Sequence, residues 1–147
     1  MAEQENIELA KQQIAALNTR DLNAYVRRFD EAYIGQAETT PAPIRGPEGV
    51  RQYINTLLTA FPDLRVDTQE ILATGDTVIV RMRATGTQKG IFAGFPPSSK
   101  PIVAEACNVF EVKNGKITRS RLYADNLSML QQIGAVTLPT ATAAARV

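Results

Sequence analysis

The hydrophobic pattern changes its period once along the chain, at Pro62, and this change constrains the fold more than any other feature. Before Pro62, apolar residues recur three and four positions apart, as Ile7, Ala10, Ile14 and Leu17 do, which predicts amphipathic helices. After Pro62, apolar and polar residues alternate between turns rich in Gly and Pro, which is typical of strands. Helices followed by strands indicate an α+β fold.

The predicted elements follow from these periods and from the residues that interrupt them. In the first half they are a helix over residues 4–18, a short helix that carries apolar residues of 22–29 inward, a short strand at 33–34 and a helix over 46–61. Asn18 or Thr19 caps the short helix. In the second half they are an extended segment over 64–73, strands over 77–87, 102–112 and 116–124, and a closing helical turn over 125–133. We expect one α+β domain over residues 1–136. Its curved antiparallel sheet of four strands wraps three N-terminal helices and encloses a pocket, and residues 137–147 form a flexible tail.

Charge and composition exclude several classes of partner. The 147 residues contain 16 Lys and Arg against 15 Asp and Glu, whereas a nucleic-acid-binding protein usually has a basic excess. No apolar run approaches the roughly 20 residues that a membrane span requires. The first residues are acidic and polar, unlike the basic start of a secretory signal, so we expect a cytoplasmic protein that binds neither nucleic acid nor membrane.

The chain contains no histidine and one cysteine, Cys107, which limits the chemistry that it can perform. Ser-His-Asp and Cys-His catalysis and a zinc site of His and Cys are excluded. Carboxylates such as Asp63 and Asp67 do not have the spacing of a calcium loop, so we expect no metal. Acid–base chemistry must therefore fall to carboxylates, tyrosine, lysine or water. Cys107 is interpreted as a small buried hydrophobic residue.

The last predicted strand has two chemically different faces. Arg119, Arg121, Tyr123 and Asp125 share one parity and so one face. This face is either a polar wall of the pocket or a solvated outer face that ends in a helix cap at Asp125. The other face contains Thr118, Ser120, Leu122 and Ala124. We expect it to be an exposed, weakly polar surface through which two copies form a homodimer.

Two further strands carry polar residues whose faces the spacing leaves open. Arg81 and Arg83 share a parity opposite to that of an apolar set, and they either bind an anionic or carbonyl substrate or point into water. Asn108 shares its parity with Ala104, Ala106, Phe110 and Val112. It either holds structure through hydrogen bonds or orients a substrate oxygen.

Four segments in sequence resemble the SnoaL-like polyketide cyclase family. They are Phe61-Pro62-Asp63-Leu64, ILATGDTVIVR, GTQKGIFAGFPPSSK and FEVKNGKITRSRLYADNLSMLQQIG, and the likeness spans roughly residues 46–135. The resemblance implies a cone similar to nuclear transport factor 2, usually dimeric through its sheet, and an intramolecular aldol ring closure without cofactor or metal. It implies that Asp125 is the acid–base catalyst. Gln88 and Asn108 stand where members often carry histidine.

The related limonene epoxide hydrolases offer a second comparison. Their last strand resembles two parts of this chain, the segment from Gly115 through Thr118 and the pattern Arg121-x-Tyr123-x-Asp125. Arg81 matches their arginine, but Arg83 stands where they carry a second carboxylate.

The leading hypothesis is therefore a cofactor-independent cyclase or isomerase acting on a small, largely apolar carbonyl compound. Asp125 would remove a proton beside the carbonyl, and donors would stabilise the enolate. The candidate substrate-binding residues are Arg81, Arg83, Asn108, Arg121, Tyr123, Tyr33 and Gln88. The alternatives are a non-catalytic ligand-binding domain of the same fold and an epoxide-hydrolase-like enzyme.

Overall fold

A computed structural model describes residues 2–139, and the part of the predicted tail beyond residue 139 lies outside the described residues. The elements in chain order are α1 (Ala2–Thr19), α2 (Leu22–Val26), β1 (Phe29–Ala37), β2 (Ile44–Arg45), α3 (Gly46–Ala60), β3 (Arg65–Thr74), β4 (Thr77–Thr87), β5 (Pro101–Lys113), β6 (Lys116–Ala124) and α4 (Asn126–Gln132). The predicted α+β order is confirmed. No helix within residues 2–139 has the length and apolarity that crossing a membrane requires.

Local sequence accounts for the helix boundaries. Pro47 stands in the first turn of α3, where its missing N–H costs nothing, and α3 ends just before Pro62. The cap of α2 differs from the prediction of Asn18 or Thr19, because Asp21 accepts a hydrogen bond from the backbone N–H of Ala24. The side chain of Asn18 instead exchanges two hydrogen bonds with the backbone of Val66 and so ties α1 to β3.

The sheet is larger than the sequence predicts. Six strands lie in the order β2-β1-β6-β5-β4-β3, and β1 runs parallel to β6 whereas the other neighbours are antiparallel. The predicted set of four antiparallel strands is therefore incomplete, since the short strand expected at 33–34 is a nine-residue strand. Asn114 and Gly115 both adopt positive φ in the β5–β6 turn, as expected for a tight hairpin.

The helices cover one face of the curved sheet, and this face forms the core. Val78, Val80 and Met82 of β4 point toward the helices and are buried, while the residues between them are more exposed. Phe61, at the end of α3, packs edge-to-face on Phe92 with ring centroids 5.2 Å apart. The predicted arrangement of a curved sheet, N-terminal helices and an enclosed pocket is confirmed.

Candidate functional site

A cavity of about 840 Å³ lies between the inner face of the sheet and the helices. Ligand pockets usually measure roughly 300–1,000 Å³, so a small organic molecule fits. Alternate residues of β4, β5 and β6 form its apolar wall: Val80, Met82, Ala84, Ile102, Ala104, Ala106, Phe110 and Leu122. Because few polar groups interrupt this wall, the cavity favours a largely apolar ligand.

Three tyrosines line the cavity: Tyr25 of α2, Tyr33 of β1 and Tyr53 of α3. Burial raises the pKa of each phenol, and neighbouring ionisable groups raise those of Tyr25 and Tyr53 further, so that the pKa of Tyr53 reaches about 12. All three are therefore neutral hydrogen-bond donors at physiological pH. The hydroxyls of Tyr33 and Ser120 are hydrogen-bonded to each other. Within the described chain, the hydroxyls of Tyr25 and Tyr53 have no such partner.

Asn108 faces the same cavity from β5, beside Leu122 of β6. Its Oδ1 atom is buried and accepts no hydrogen bond from the described residues. A buried polar atom without a partner costs about 1–3 kcal/mol, so it requires an explanation, and a ligand in the cavity would provide one. The interpretation of Asn108 as a purely structural, hydrogen-bonded residue is thus not supported, and its amide is available to a ligand.

Two carboxylates, Glu38 and Glu48, line the cavity. Glu38 directly follows β1, and its Oε2 accepts a hydrogen bond of 2.6 Å from Nδ2 of Asn126. The backbone N–H of Ala124 lies 3.5 Å from the same oxygen. The charge of Glu38 also contributes to the raised pKa of Tyr53, and both side chains line the cavity. An ionisable group therefore shares the cavity with neutral donors.

The arginines predicted as pocket residues lie on the opposite, outer face of the sheet. Arg81 bonds to Gln69 and Glu70, and Arg83 donates to Oε1 of Glu105 at 2.9 and 3.0 Å. Burial of the apolar residues of β4 against the helices forces the alternate residues outward. Arg81 and Arg83 therefore border the same outer groove as Asp125, but they do not line the cavity between the sheet and the helices.

Arg121 and Tyr123 of β6 also lie on the outer face, with the guanidinium 5.3 Å from the centre of the Tyr123 ring. Arg121 donates to the side chain of Gln36 at 2.7 Å, and half of the Tyr123 surface is exposed. The opposite parity of β6, represented by Ser120, Leu122 and Ala124, lines the cavity. The predicted exposed dimer face is therefore wrong for these three residues.

Asp125 is exposed and caps α4. Its Oδ1 accepts the backbone N–H of Ser128 at 3.1 Å, and its carboxylate borders a shallow groove on the outer face with Arg81, Arg83 and Tyr123. The neighbours Ala124 and Asn126 line the cavity, whereas Asp125 does not. The structure brings these predicted residues together, but outside the cavity. A catalytic role for Asp125 stays a prediction.

Gln88 is fully buried and organises the loop between β4 and β5. Its Nε2 lies within hydrogen-bond distance of the carbonyls of Gly90, Phe95 and Pro96, and its Oε1 accepts the N–H of Ser98. Every polar atom of the amide is thereby engaged, and Gln88 does not line the cavity. Gln88, which the sequence suggested as a substrate-binding residue, therefore holds the loop in place instead.

Sequence reasoning missed Glu38, Tyr25, Tyr53 and Asn126 as cavity residues. Tyr25 and Tyr53 fall on the apolar faces of their helices, so their periodicity indicated core packing. Glu38 could not be placed because the length of β1 was underestimated. Cys107, expected to be buried, is half-buried beside the outer groove. Within residues 2–139, no three potential metal ligands of the His, Cys, Asp or Glu type lie together.

Comparison with known proteins agrees with the cone and its cavity. The model of the SnoaL-like polyketide cyclase family matches residues 7–133. The chain belongs to this family. No curated protein matches it.

Solved structures of family members superpose over nearly the whole chain. A candidate SnoaL-like polyketide cyclase from Jannaschia sp. CCS1 has a TM-score of 0.83 and 22% identity, with 92% of this chain and 95% of that chain covered. IdmH, a candidate polyketide cyclase from Streptomyces antibioticus, has a TM-score of 0.75 and 27% identity, covering 86% of this chain and 96% of that one.

An epoxide hydrolase from M. tuberculosis that resembles the limonene enzymes shares the fold at a TM-score of 0.73 and 18% identity, with 92% and 93% of the two chains covered. At that identity the similarity concerns the fold alone.

Proposed function

We propose that the cavity binds a small, largely apolar carbonyl compound and that the protein converts it by proton transfer, as a cyclase or isomerase without a cofactor. The observation that carries this proposal is the mainly apolar cavity with a few neutral hydrogen-bond donors and two carboxylates. Donors that meet charge developing on a substrate oxygen lower the barrier to enolate formation. Family membership supports the same class of reaction.

Asn108 and the pair of Tyr33 and Ser120 lie on the sheet side of the cavity and would orient the substrate. Asn108 pairs with Leu122 across the strands while Ser120 pairs with Phe110, so the two polar groups are diagonal neighbours on one face. Oδ1 of Asn108 would accept a hydrogen bond from a substrate hydroxyl. This combination suits a hydroxylated carbonyl compound.

The proposal can be tested without the natural substrate. A panel of small cyclic ketones that includes 1-tetralone would be incubated with the protein in D₂O, with binding followed by ligand-observed NMR and α-hydrogen exchange by mass spectrometry. We expect binding, and exchange above the buffer rate. Leu122→Trp would fill the cavity and abolish both, whereas Tyr123→Trp on the outer face would preserve both. Melting curves identify variants that fail to fold. Absence of exchange for every ketone would contradict the catalytic proposal.

The principal alternative is a non-catalytic domain that binds a small apolar ligand. The position of Asp125 outside the cavity, with its carboxylate bound to a helix N-terminus, favours this alternative. It predicts binding without exchange in the same experiment. An epoxide-hydrolase-like reaction has less support, because Arg81 lies outside the cavity and is paired with Glu70.

Homodimerisation through the outer face of the sheet also stays a proposal. That face carries exposed Val103 and Tyr123 among paired charges rather than the small residues first expected. Light scattering should give twice the mass of the 16.0 kDa chain. A monomer at micromolar concentration would contradict the dimer. The cytoplasmic location is likewise a prediction.

A further inference from the structure

We propose that Glu38, rather than Asp125, is the proton-transfer group of the cavity, and that Tyr53 stabilises the enolate that forms. The inference rests on the proposed function and deepens it by assigning the catalytic residues. It starts from the two carboxylates near the start of α4. Asp125 faces the outer groove, while Glu38 lines the cavity.

The start of α4 holds these two carboxylates in different ways. Asp125 is bound to the backbone N–H of Ser128, which fixes it as a cap. The next residue, Asn126, points to the other side and donates to Oε2 of Glu38 at 2.6 Å. Asn126 itself lines the cavity and is half-buried. Asn126 is therefore a positioning residue that holds the Glu38 carboxylate at the cavity.

Only one oxygen of Glu38 has hydrogen-bond partners among the described residues. Oε2 is the acceptor for Asn126 and for the backbone of Ala124, which leaves Oε1 available for a substrate C–H. A general base must reach the proton that it removes. The exposed position of Glu38 also allows its proton to exchange with water between turnovers.

Tyr53 supplies the complementary donor. Its phenol lines the same cavity, and burial, with a smaller contribution from the charge of Glu38, raises its pKa to about 12 and keeps it protonated. Tyr25 is a second neutral phenol in this group. Neutral donors in the same cavity as a carboxylate base favour enolate formation, because they meet the negative charge only as it develops.

The chemical step balances within these groups. An oxygen of Glu38 takes the proton from the carbon beside the substrate carbonyl, and the C–H electron pair forms the enolate, whose oxygen accepts a hydrogen bond from Tyr53. Returning the proton to another carbon completes an isomerisation. Attack of the enolate carbon on a second carbonyl forms a C–C bond, and Glu38 then returns its proton to the resulting alkoxide, which completes an aldol cyclisation.

The test compares Glu38→Gln with Asp125→Asn, with Glu31→Gln as the matched control. Glu31 is an exposed residue of β1, the strand that Glu38 directly follows, and it does not line the cavity. For the ketone exchanged by the wild type, Glu38→Gln should lower the exchange rate by about 10²–10⁴, the usual contribution of general acid–base catalysis. Asp125→Asn and Glu31→Gln should retain the wild-type rate. Tyr53→Phe should lower the rate with little change in ketone affinity.

A binding measurement distinguishes a catalytic Glu38 from a purely structural one, because a structural role would not change the affinity for a charged ligand. 2-Naphthoate carries a negative charge like an enolate, and calorimetry would measure its affinity. Removing the charge of Glu38 should tighten naphthoate binding about tenfold, whereas neutral 2-acetonaphthone should bind equally to both proteins. Glu31→Gln should change neither affinity.

The outcomes separate the two proposals. Exchange that survives in Glu38→Gln but is lost in Asp125→Asn overturns the role of Glu38 and leaves the proposed function standing. A wild type that binds ketones but exchanges none overturns the proposed function and the role of Glu38 together. Loss of exchange in Glu38→Gln without tighter naphthoate binding places Glu38 away from the reacting atoms and also overturns its role.

Discussion

The inner and outer faces of strands β4, β5 and β6 share the same backbone but carry opposite chemistry. Ile102 on the inner face is 2% exposed, while its neighbour Val103 on the outer face is 50% exposed. The inner face contributes apolar contacts and a cavity, and the outer face displays Arg81 and Arg83 paired with carboxylates. A polar strand face thus indicates solvent as readily as a substrate pocket.

The largest expected effect is on the inner face. Ile102→Ala removes buried side-chain volume from the core and should lower the free energy of unfolding by about 2–5 kcal/mol. Val103→Ala, one residue along the same strand, should change it by less than about 0.5 kcal/mol. Chemical denaturation of both variants measures the contrast. Equal losses in the two would contradict the assigned faces.

The second prediction concerns the loop that closes the end of the sheet. Gln88→Ala leaves the carbonyls of Gly90, Phe95 and Pro96 and the N–H of Ser98 without their amide partner. Losing these part-buried hydrogen bonds should lower the free energy of unfolding by about 1–3 kcal/mol.

Gln69→Ala is the outer-face control for the Gln88 variant, since Gln69 only accepts an exposed bond from Arg81. It should change stability by less than about 0.5 kcal/mol. Denaturation curves of the two variants make the comparison. A loss in Gln88→Ala as small as that in Gln69→Ala would show that the loop does not depend on the amide.

Much of the fold was predictable because it depends on local signals. Pro62 separates the helical part from the strands, Pro47 marks the start of α3, and Asn114-Gly115 marks a hairpin. The parallel contact of β1 with β6 was not predictable, because it joins residues far apart in sequence. Apolar and polar residues do not alternate clearly along β1, so the sequence predicts a strand only at its middle.

The site was harder to predict, because period-2 spacing groups residues on a face without saying which face is buried. The spacing groups Arg81 with Arg83 and Arg121 with Tyr123, and it leaves open whether these faces meet the pocket or solvent; in the structure they lie on the outer face. The sequence indicates which face of a strand is buried only through the apolar residues of that strand, because these residues must pack against the helices. Asn108 was assignable because its parity companions are apolar.

The third prediction concerns the cap of α4, between the two faces. Asp125→Ala removes the acceptor of the Ser128 N–H and should lower stability by about 1 kcal/mol. Asp125→Asn should cost little, because Asn also caps helices well. Melting curves of both variants, read beside their exchange rates, separate capping from catalysis. A large rate loss in Asp125→Asn with unchanged stability would restore Asp125 as the catalyst.

The smallest expected effect is that of the ion pair between Arg83 and Glu105 on the outer face. Both side chains are about half exposed, at 50% and 52%. Water and salt screen such pairs, so a double-mutant cycle with Arg83→Met and Glu105→Gln should give a coupling of about 0.2–1 kcal/mol that falls as salt is added. A dimer formed through this face would exclude water from the pair and raise the cost of removing one partner. The cycle measured at several protein concentrations therefore also tests the dimer. A small coupling at every concentration fits an outer face open to solvent, whereas a large, concentration-dependent coupling would mean that a second copy covers it.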